Sequence, residues 1–191
     1  PALIKKIIYL ACHQLRPYVA LEFASFAQIL EQLSRKNEGQ IINLGSGLSA
    51  NFDRDRLVIF DKKLQNWDEK KIEIGEDYQT DSFTLKIDTA ENSWNKDTDH
   101  NVEFIDRDKI DGNLAIRHWQ SGDKFPPVNF GHTKKLSDLF IDEKIGKFRK
   151  HQIPILIDNN NIIWVCGIRL SDRYKIDENT SNILKLEYYE R

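Results

Sequence analysis

The spacing of apolar residues changes near residue 40, and this change limits the folds that the chain can adopt. Residues 2–14 place apolar side chains at helical spacing, and a second helical stripe follows Ser25. Beyond residue 40, short alternating stretches separated by glycine-containing turns predict strands. The pattern predicts an α+β chain, in which a small helical subdomain precedes a β-rich domain with one or two short helices.

We predict two domains with a boundary near residue 68. Residues 1–68 form a helical subdomain that ends in a β-hairpin, and residues 69–191 form the β-rich domain. Ser25 is expected to cap the second helix, which ends near Asn37 and Gly39. The predicted elements of the second domain are strands at 82–87, 102–105 and 113–119, a helix at about 134–143, a hairpin of 153–157 with 162–166, and a strand at 183–189.

Composition and residue spacing exclude several classes of protein. No apolar run approaches the roughly 20 residues that a membrane-spanning helix needs. Cys12 and Cys166 lie in no CxxC pair, which favours a reduced, cytoplasmic chain, and the histidines show no metal-ligand spacing. The chain opens on Pro1 and contains no methionine, so we expect an excised piece of a longer polypeptide.

Two short motifs resemble nucleotide-binding loops but lack the required context. The segment GSGLSA at 45–50 matches a dinucleotide-binding turn, but a strand-like stretch follows it where a helix is needed, so we predict a hairpin turn. The segment GKF at 146–148 fails as a phosphate-binding loop because Ile141 stands where that loop needs glycine. Cys166 is expected to be a packed thiol. The sequence predicts no active site in this chain.

Charge is distributed unevenly along the chain. The net charge is only −2, yet residues 61–111 carry fifteen acids against eight bases. Residues 117–150 carry eight Lys or Arg against four acids, which we call the basic stretch. Such asymmetry favours a surface that binds a polyanion.

The first part of the basic stretch combines a strand with a rigid loop. Alternation along 113–119 points Leu114, Ile116 and His118 to one face, so that Arg117 and Trp119 share the outer surface. There, Arg117 and Trp119 would contact a nucleic-acid backbone and stack on a base or sugar, and Lys124 adds charge nearby. A cation–π pair that covers the core edge is the alternative.

A helix follows, in which some charge is balanced locally. Thr133 is expected to cap it, and Lys134 and Asp138 form an i,i+4 pair. Lys135 adds a further positive charge, and Ile141 faces outward, which suggests contact with another domain or partner. The predicted buried stripe consists of Leu136, Leu139 and Phe140.

A second group of cations lies within seven residues that contain no acid. It consists of Lys144, Lys147, Arg149 and Lys150. We prefer a phosphate-binding patch that gains affinity through counterion release, and a solvated cationic face is the alternative.

Four blocks of the chain, taken in order, resemble the C-terminal domain of tRNA(Ile)-lysidine synthetases. They are IRHWQSGDKF, KKLSDLFIDEKI, IPILID and IIWVCGIRLSDRY, which also brings Arg169 among the candidate residues. The resemblance covers about residues 102–173, and residues 1–60 are similar to part of the family's helical middle domain. Two departures are PPVNFG after Lys124 and Phe125, and Gly146 where the family usually has proline.

The resemblance implies a function for the parent enzyme and a narrower one for this chain. The family uses ATP to join lysine to the wobble cytidine of isoleucine tRNA with a CAU anticodon. Catalysis, with ATP and Mg²⁺, belongs to an N-terminal domain marked by a Ser-Gly-Gly-x-Asp-Ser loop that does not occur here. The chain is then a non-catalytic region that holds the acceptor stem and that has the catalytic domain as a partner.

The candidate tRNA-binding residues combine the pattern of charges with this resemblance. They are Arg117, Trp119, Lys124, Lys134, Lys135, Lys144, Lys147, Arg149, Lys150 and Arg169. The alternative function is a structural module between domains, whose basic face docks on protein and which binds no RNA independently.

Overall fold

The chain folds into two compact units, and each is described by itself. The computed structural model describes residues 2–35, 40–53, 56–61, 67–90, 100–146 and 148–191. The first unit takes in residues 1–66 and 146–148, and the second takes in residues 67–145 and 149–191. Helices come first and antiparallel strands dominate afterwards, which confirms the predicted α+β class. The predicted division into two functional domains at residue 68 stays a prediction.

The first unit packs two helices on a three-stranded antiparallel sheet. The helices are α1 (Ala2–Leu15) and α2 (Phe23–Arg35), and the strands are β1 (Ile41–Gly45), β2 (Leu48–Asp53) and β3 (Arg56–Asp61), in the order β1-β2-β3. Its core joins Ile8 and Cys12 of α1 to Ile29 of α2 and to Leu44 and Leu48 of the sheet. The segment 45–50 spans the end of β1, the turn at residues 46 and 47 and the start of β2, which confirms the predicted hairpin.

Ser25 lies inside α2 and not at its N-cap. Its hydroxyl donates a hydrogen bond to the carbonyl oxygen of Asn43, 2.8 Å away, and so joins the helix to β1. The predicted cap at Ser25 is therefore wrong, because α2 begins at Phe23 and the hydroxyl serves tertiary packing. The predicted end of the helix at Asn37 and Gly39 lies outside the described residues.

A short downstream segment completes the first unit. The ring of Phe148 packs on that of Phe60, with 4.0 Å between the ring centroids. Gly146 lies so close to Asp53 that a Cβ atom at this position would clash with the carboxylate. Gly146 therefore stands where a larger residue would not fit in this unit.

The second unit contains three antiparallel sheets and one α-helix among the described residues. The strands are β4 (Lys70–Lys71), β5 (Tyr78–Gln79), β6 (Phe83–Ala90), β7 (Val102–Asp106), β8 (Leu114–Arg117), β9 (Lys124–Phe125), β10 (Lys134–Lys135), β11 (Ile155–Asp158), β12 (Asn161–Val165), β13 (Arg169–Leu170) and β14 (Ile183–Glu190), and the helix is α3 (Leu136–Asp142). The strand orders are β13-β12-β11-β8-β4, β5-β6-β14-β7 and β10-β9. The hairpin of β11 with β12 and the final strand β14 confirm the sequence predictions.

The five-stranded sheet is covered on both faces. One face and the four-stranded sheet form a core that includes Leu114, Ile116 and Trp164. The other face packs against α3 and β9, and there Ala115 meets Phe125. Both side-chain sets of β8 are therefore buried. In the part of the chain that the structure describes, no helix is long and apolar enough to cross a membrane.

Candidate nucleic-acid interface

Arg117 is the last residue of β8, and its side chain forms a buried ion pair. Its Nη1 and Nη2 atoms donate to the two carboxylate oxygens of Asp123, each over 2.8 Å, and the residue is only 7% exposed. The prediction that Arg117 shares an outer surface with Trp119 is wrong, because α3 and β9 cover the face of β8 that alternation alone marks as outer. Its predicted cation–π partner is also wrong, because Arg117 pairs with an acid.

The Arg117–Asp123 pair fixes the start of a short two-stranded ribbon. The backbone N–H of Gln120 also donates to Asp123 Oδ2 over 2.9 Å, and Gly122 takes the positive φ of 94° that the turn requires. The carbonyl oxygen of Asp123 accepts the N–H of Leu136 over 2.8 Å. One residue thus holds the strand β9 and the first residue of α3 together.

Two lysines lie opposite each other on this ribbon. The antiparallel register pairs Lys124 with Lys135 and Phe125 with Lys134. Phe125 is buried, whereas Lys124 and Lys135 are both exposed. Within the described residues, neither ammonium group makes an ion pair.

Lys134 lies in β10, upstream of the helix, and so cannot form the predicted i,i+4 pair. Its ammonium instead pairs with Asp142 and lies 4.3 Å from the ring centroid of Phe130. The N-cap of α3 is Lys135 and not Thr133, because the helix begins only at Leu136. The predicted pair with Asp138 and the predicted Thr133 cap are therefore wrong.

The outward and inward faces of α3 agree with the prediction. Ile141 is 69% exposed, and its contact with a further partner stays a prediction. The buried side chains of the helix are Leu136, Leu139 and Phe140.

The loop between β9 and β10 is anchored on the sheet. The N–H of Val128 donates to Leu170 over 2.9 Å, and Pro126 accepts the N–H of Asp172 over 2.7 Å. This anchoring presents the ring of Phe130, which is 42% exposed.

Two members of the second group of cations, Arg149 and Lys150, contact other side chains. Arg149 pairs with Glu190, an acid 41 positions away in sequence, and Arg169 donates to Glu143 over 2.8 Å. Lys144 is exposed, without an ion pair among the described residues. Lys147 lies outside the described residues.

Trp119 packs at the edge of the core and is covered by Lys150. The Lys150 ammonium lies 4.0 Å from the centroid of the indole ring, and the ring of His151 lies 5.5 Å away. Trp119 thus closes the core edge through a cation–π contact, but its cation is Lys150 and not Arg117 as the alternative had it. Burial, followed by the charges of Lys150 and His118, lowers the pKa of His151.

Sequence reasoning placed His118 on the face of Leu114 and Ile116 but missed its contacts, which join three segments of the chain. Its ring stacks on Trp67 with 3.8 Å between centroids. Its two ring nitrogens each lie 2.9 Å from a carbonyl oxygen, one of His151 and one of Trp67. A neutral imidazole donates through one nitrogen only, so both contacts are hydrogen bonds only when the ring carries both protons. Partners 33 and 51 positions away leave no local signal in the sequence.

The predicted residues thus fall into groups that differ in what their charges already contact. The cations with a described partner are Arg117, Lys134, Arg149, Lys150 and Arg169. The exposed cations with no ion pair among the described residues are Lys124, Lys135 and Lys144. The role of every one of them in binding RNA stays a prediction.

The described part of the chain offers little to a metal ion or to a nucleophilic mechanism. No group of three His, Cys, Asp or Glu in that part could hold a metal ion. Cys166 is buried as predicted, and burial raises the pKa of its thiol, so its reactive thiolate is disfavoured.

Comparison with known proteins identifies related chains. Residues 114–188 match the family described as the TilS substrate C-terminal domain. A tRNA(Ile)-lysidine synthase of Clostridium tetani is 33% identical over 164 residues, which cover 81% of this chain and 35% of the relative. Another tRNA(Ile)-lysidine synthase, from Caldanaerobacter subterraneus subsp. tengcongensis, is 41% identical over 87 residues, which cover 46% of this chain and 19% of the relative.

A solved structure has a similar fold. The crystal structure of a TilS C-terminal domain matches with a TM-score of 0.59 at 21% identity. The match covers 64% of this chain and 95% of that chain. The matched part of this chain spans about a third of the length of the Clostridium tetani relative.

Proposed function

The chain belongs to the tRNA(Ile)-lysidine synthase family, and from this premise we propose that it is the tRNA-recognition region of such an enzyme. It holds the acceptor stem of the isoleucine tRNA that has a CAU anticodon. Ligation of lysine to the wobble cytidine, with ATP and Mg²⁺, belongs to a separate catalytic domain that is this region's partner. The chain alone is non-catalytic, and its location is the cytoplasm.

The observation that carries this proposal is the set of uncompensated lysines in the second unit. Lys124, Lys135 and Lys144 are exposed, and none has an ion pair among the described residues. Cations that are not neutralised by the protein can replace the counterions around RNA phosphates, and the release of those counterions favours binding. Four other candidates contribute less because acids already neutralise them, and these are Arg117, Lys134, Arg149 and Arg169.

The test is a salt series of tRNA binding by the whole chain. We expect the logarithm of affinity to fall linearly with the logarithm of salt concentration between about 50 and 200 mM. Lys124→Gln/Lys135→Gln/Lys144→Gln should weaken binding and flatten the slope. The control removes charge from ion-paired lysines, as Lys86→Gln/Lys109→Gln/Lys185→Gln. Absence of tRNA binding at the lowest salt would contradict the proposal.

A second candidate function, a protein-interaction module, is favoured by exposed apolar side chains. Ile141 projects from α3, and Leu3, Ile7 and Leu10 are exposed on α1 at helical spacing. Exposed apolar patches mark protein contact sites. This candidate predicts that the chain alone binds no tRNA, and that Ile141→Ser weakens binding of the separately produced catalytic domain. The tRNA-recognition function predicts that the chain binds tRNA, and that the lysine variants weaken this binding and leave binding of the catalytic domain unchanged.

A further inference from the structure

We propose that Lys124 and Lys135 together bind a single RNA phosphate between them. This inference rests on the proposed function, since it names the element of tRNA that one part of the chain grips. The site is the exposed side of the β9–β10 ribbon, and its ligand is a phosphodiester group with two free oxygens.

The register of the ribbon places the two ammonium groups on one side. Lys124 is paired directly with Lys135, and directly opposed residues of an antiparallel pair project to the same face. Their Cβ atoms are then about 5 Å apart, a spacing from which both side chains can converge on one anion. Like charges directly opposite each other destabilise a strand pair. A phosphate between them would remove that repulsion.

The acids of the basic stretch do not neutralise these lysines. Asp123 adjoins Lys124 in sequence, but both of its carboxylate oxygens accept from buried Arg117. Asp142 pairs with Lys134. Glu143 accepts from Arg169, and Asp138 hydrogen bonds to Ser137. The four acids of the basic stretch therefore contact groups other than Lys124 and Lys135.

The backbone that carries the pair is held in place. Phe125, next to Lys124, and Leu136, next to Lys135, are both buried. The hydrogen bond from Leu136 to the Asp123 carbonyl closes the ribbon at this end. A site whose backbone is fixed loses less conformational entropy when its ligand binds. Arg117 is thus a positioning residue, which acts on the lysines through Asp123.

The test is a double-mutant cycle of tRNA affinity with the whole chain. The variants are Lys124→Gln, Lys135→Gln and the double variant. If one phosphate is shared, each single change should lower affinity about tenfold at low salt, and the double change should cost little more. In the double variant, the slope of the logarithm of affinity against the logarithm of salt concentration should then decrease by the contribution of about one phosphate. The double variant of Lys86 and Lys185 removes the same net charge as a control.

Two outcomes would overturn the shared site while leaving the proposed function intact. Additive losses with a slope change of about two phosphates would mean that each lysine contacts its own phosphate. Unchanged affinity in the double variant, with salt-sensitive binding by the original chain, would mean that the ribbon does not touch the RNA. Failure of the original chain to bind tRNA at all would overturn the proposed function itself. Urea unfolding checks folding, and loss of like-charge repulsion should leave the double variant at least as stable.

Discussion

Two arginine–carboxylate pairs in the second unit differ sharply in their surroundings. The side chains of Arg117 and Asp123 are 9% and 11% exposed, whereas those of Arg149 and Glu190 are 43% and 45% exposed. Both arginines belong to the basic stretch, and the sequence gives them the same charge and the same candidate role. Burial therefore decides whether such a cation holds the fold together or lies at the surface.

The two pairs therefore differ in what their removal should cost. Breaking a buried pair leaves an unpaired charge in the protein interior, where water does not solvate it. An exposed pair is screened by water and salt, so its loss costs little. The Asp123 carboxylate also accepts from the N–H of Gln120, so the buried pair is joined to the turn that follows β8. Variants of either pair, and of the neighbouring Lys150, test this contrast.

Arg117→Met should destabilise the chain most, by about 3–5 kcal/mol, because Asp123 would remain buried without its cation. Urea unfolding measures this loss. Arg117→Met/Asp123→Leu should recover part of the stability, since no charge is then left unpaired. A loss below about 1 kcal/mol for the single variant would mean that the pair behaves like a surface pair.

Lys150→Gln should have a smaller effect on stability and a distinct effect on His151. Loss of the contact with Trp119 should cost about 0.5–1 kcal/mol. The pKa of His151 should rise toward its ordinary value, because the variant removes one of the charges that lower it. An NMR titration of the histidine ring measures this change, and an unchanged pKa would show that Lys150 does not act on it.

The lowered pKa of His151 also sets the direction of a pH effect. As pH falls below the ordinary histidine pKa of about 6.5, the unfolded chain binds a proton at this position before the folded chain does. His151 therefore contributes stability above that pH, and the contribution decreases as pH falls toward the folded-state pKa. Between pH 7.5 and 5, the free energy of unfolding should decrease less in Lys150→Gln than in the original chain. A larger decrease would contradict the assigned sign.

Arg149→Gln should change the free energy of unfolding least, by about 0.3 kcal/mol, because its partner Glu190 is well hydrated. Unfolding at low and high salt provides the measurement, and the small difference should disappear at high salt. A loss as large as that of Arg117→Met would remove the contrast between the two pairs.

Local patterns predicted what local forces decide. The apolar stripe of α3 and the hairpin of β11 with β12 follow from side-chain period and turn residues, and both occur as predicted. Alternation along β8 also placed Leu114 and Ile116 in the core correctly. The same alternation placed Arg117 on an outer face, which was wrong. The sequence carried no signal that α3 and β9 cover this second face of β8.

Partners that are distant in sequence account for the other differences. The Arg149–Glu190 pair and the carbonyl contacts of His118 form only when the sheets assemble. The Lys134–Asp138 prediction failed for a smaller reason, since it depends on the residue at which α3 begins. Helix starts are the least certain part of a pattern, and here two residues changed the partner of a charge.

The segment 146–148 has a practical consequence for dividing this protein. Its residues belong to the first unit, although more than eighty positions separate them from that unit's helices and first three strands. A fragment cut after residue 66 would lose the ring of Phe148 that Phe60 packs against, and would expose an aromatic side chain. A single cut in the chain therefore cannot separate the complete first unit. A chimaera of two relatives would have to take residues 1–66 and 146–148 from the same parent.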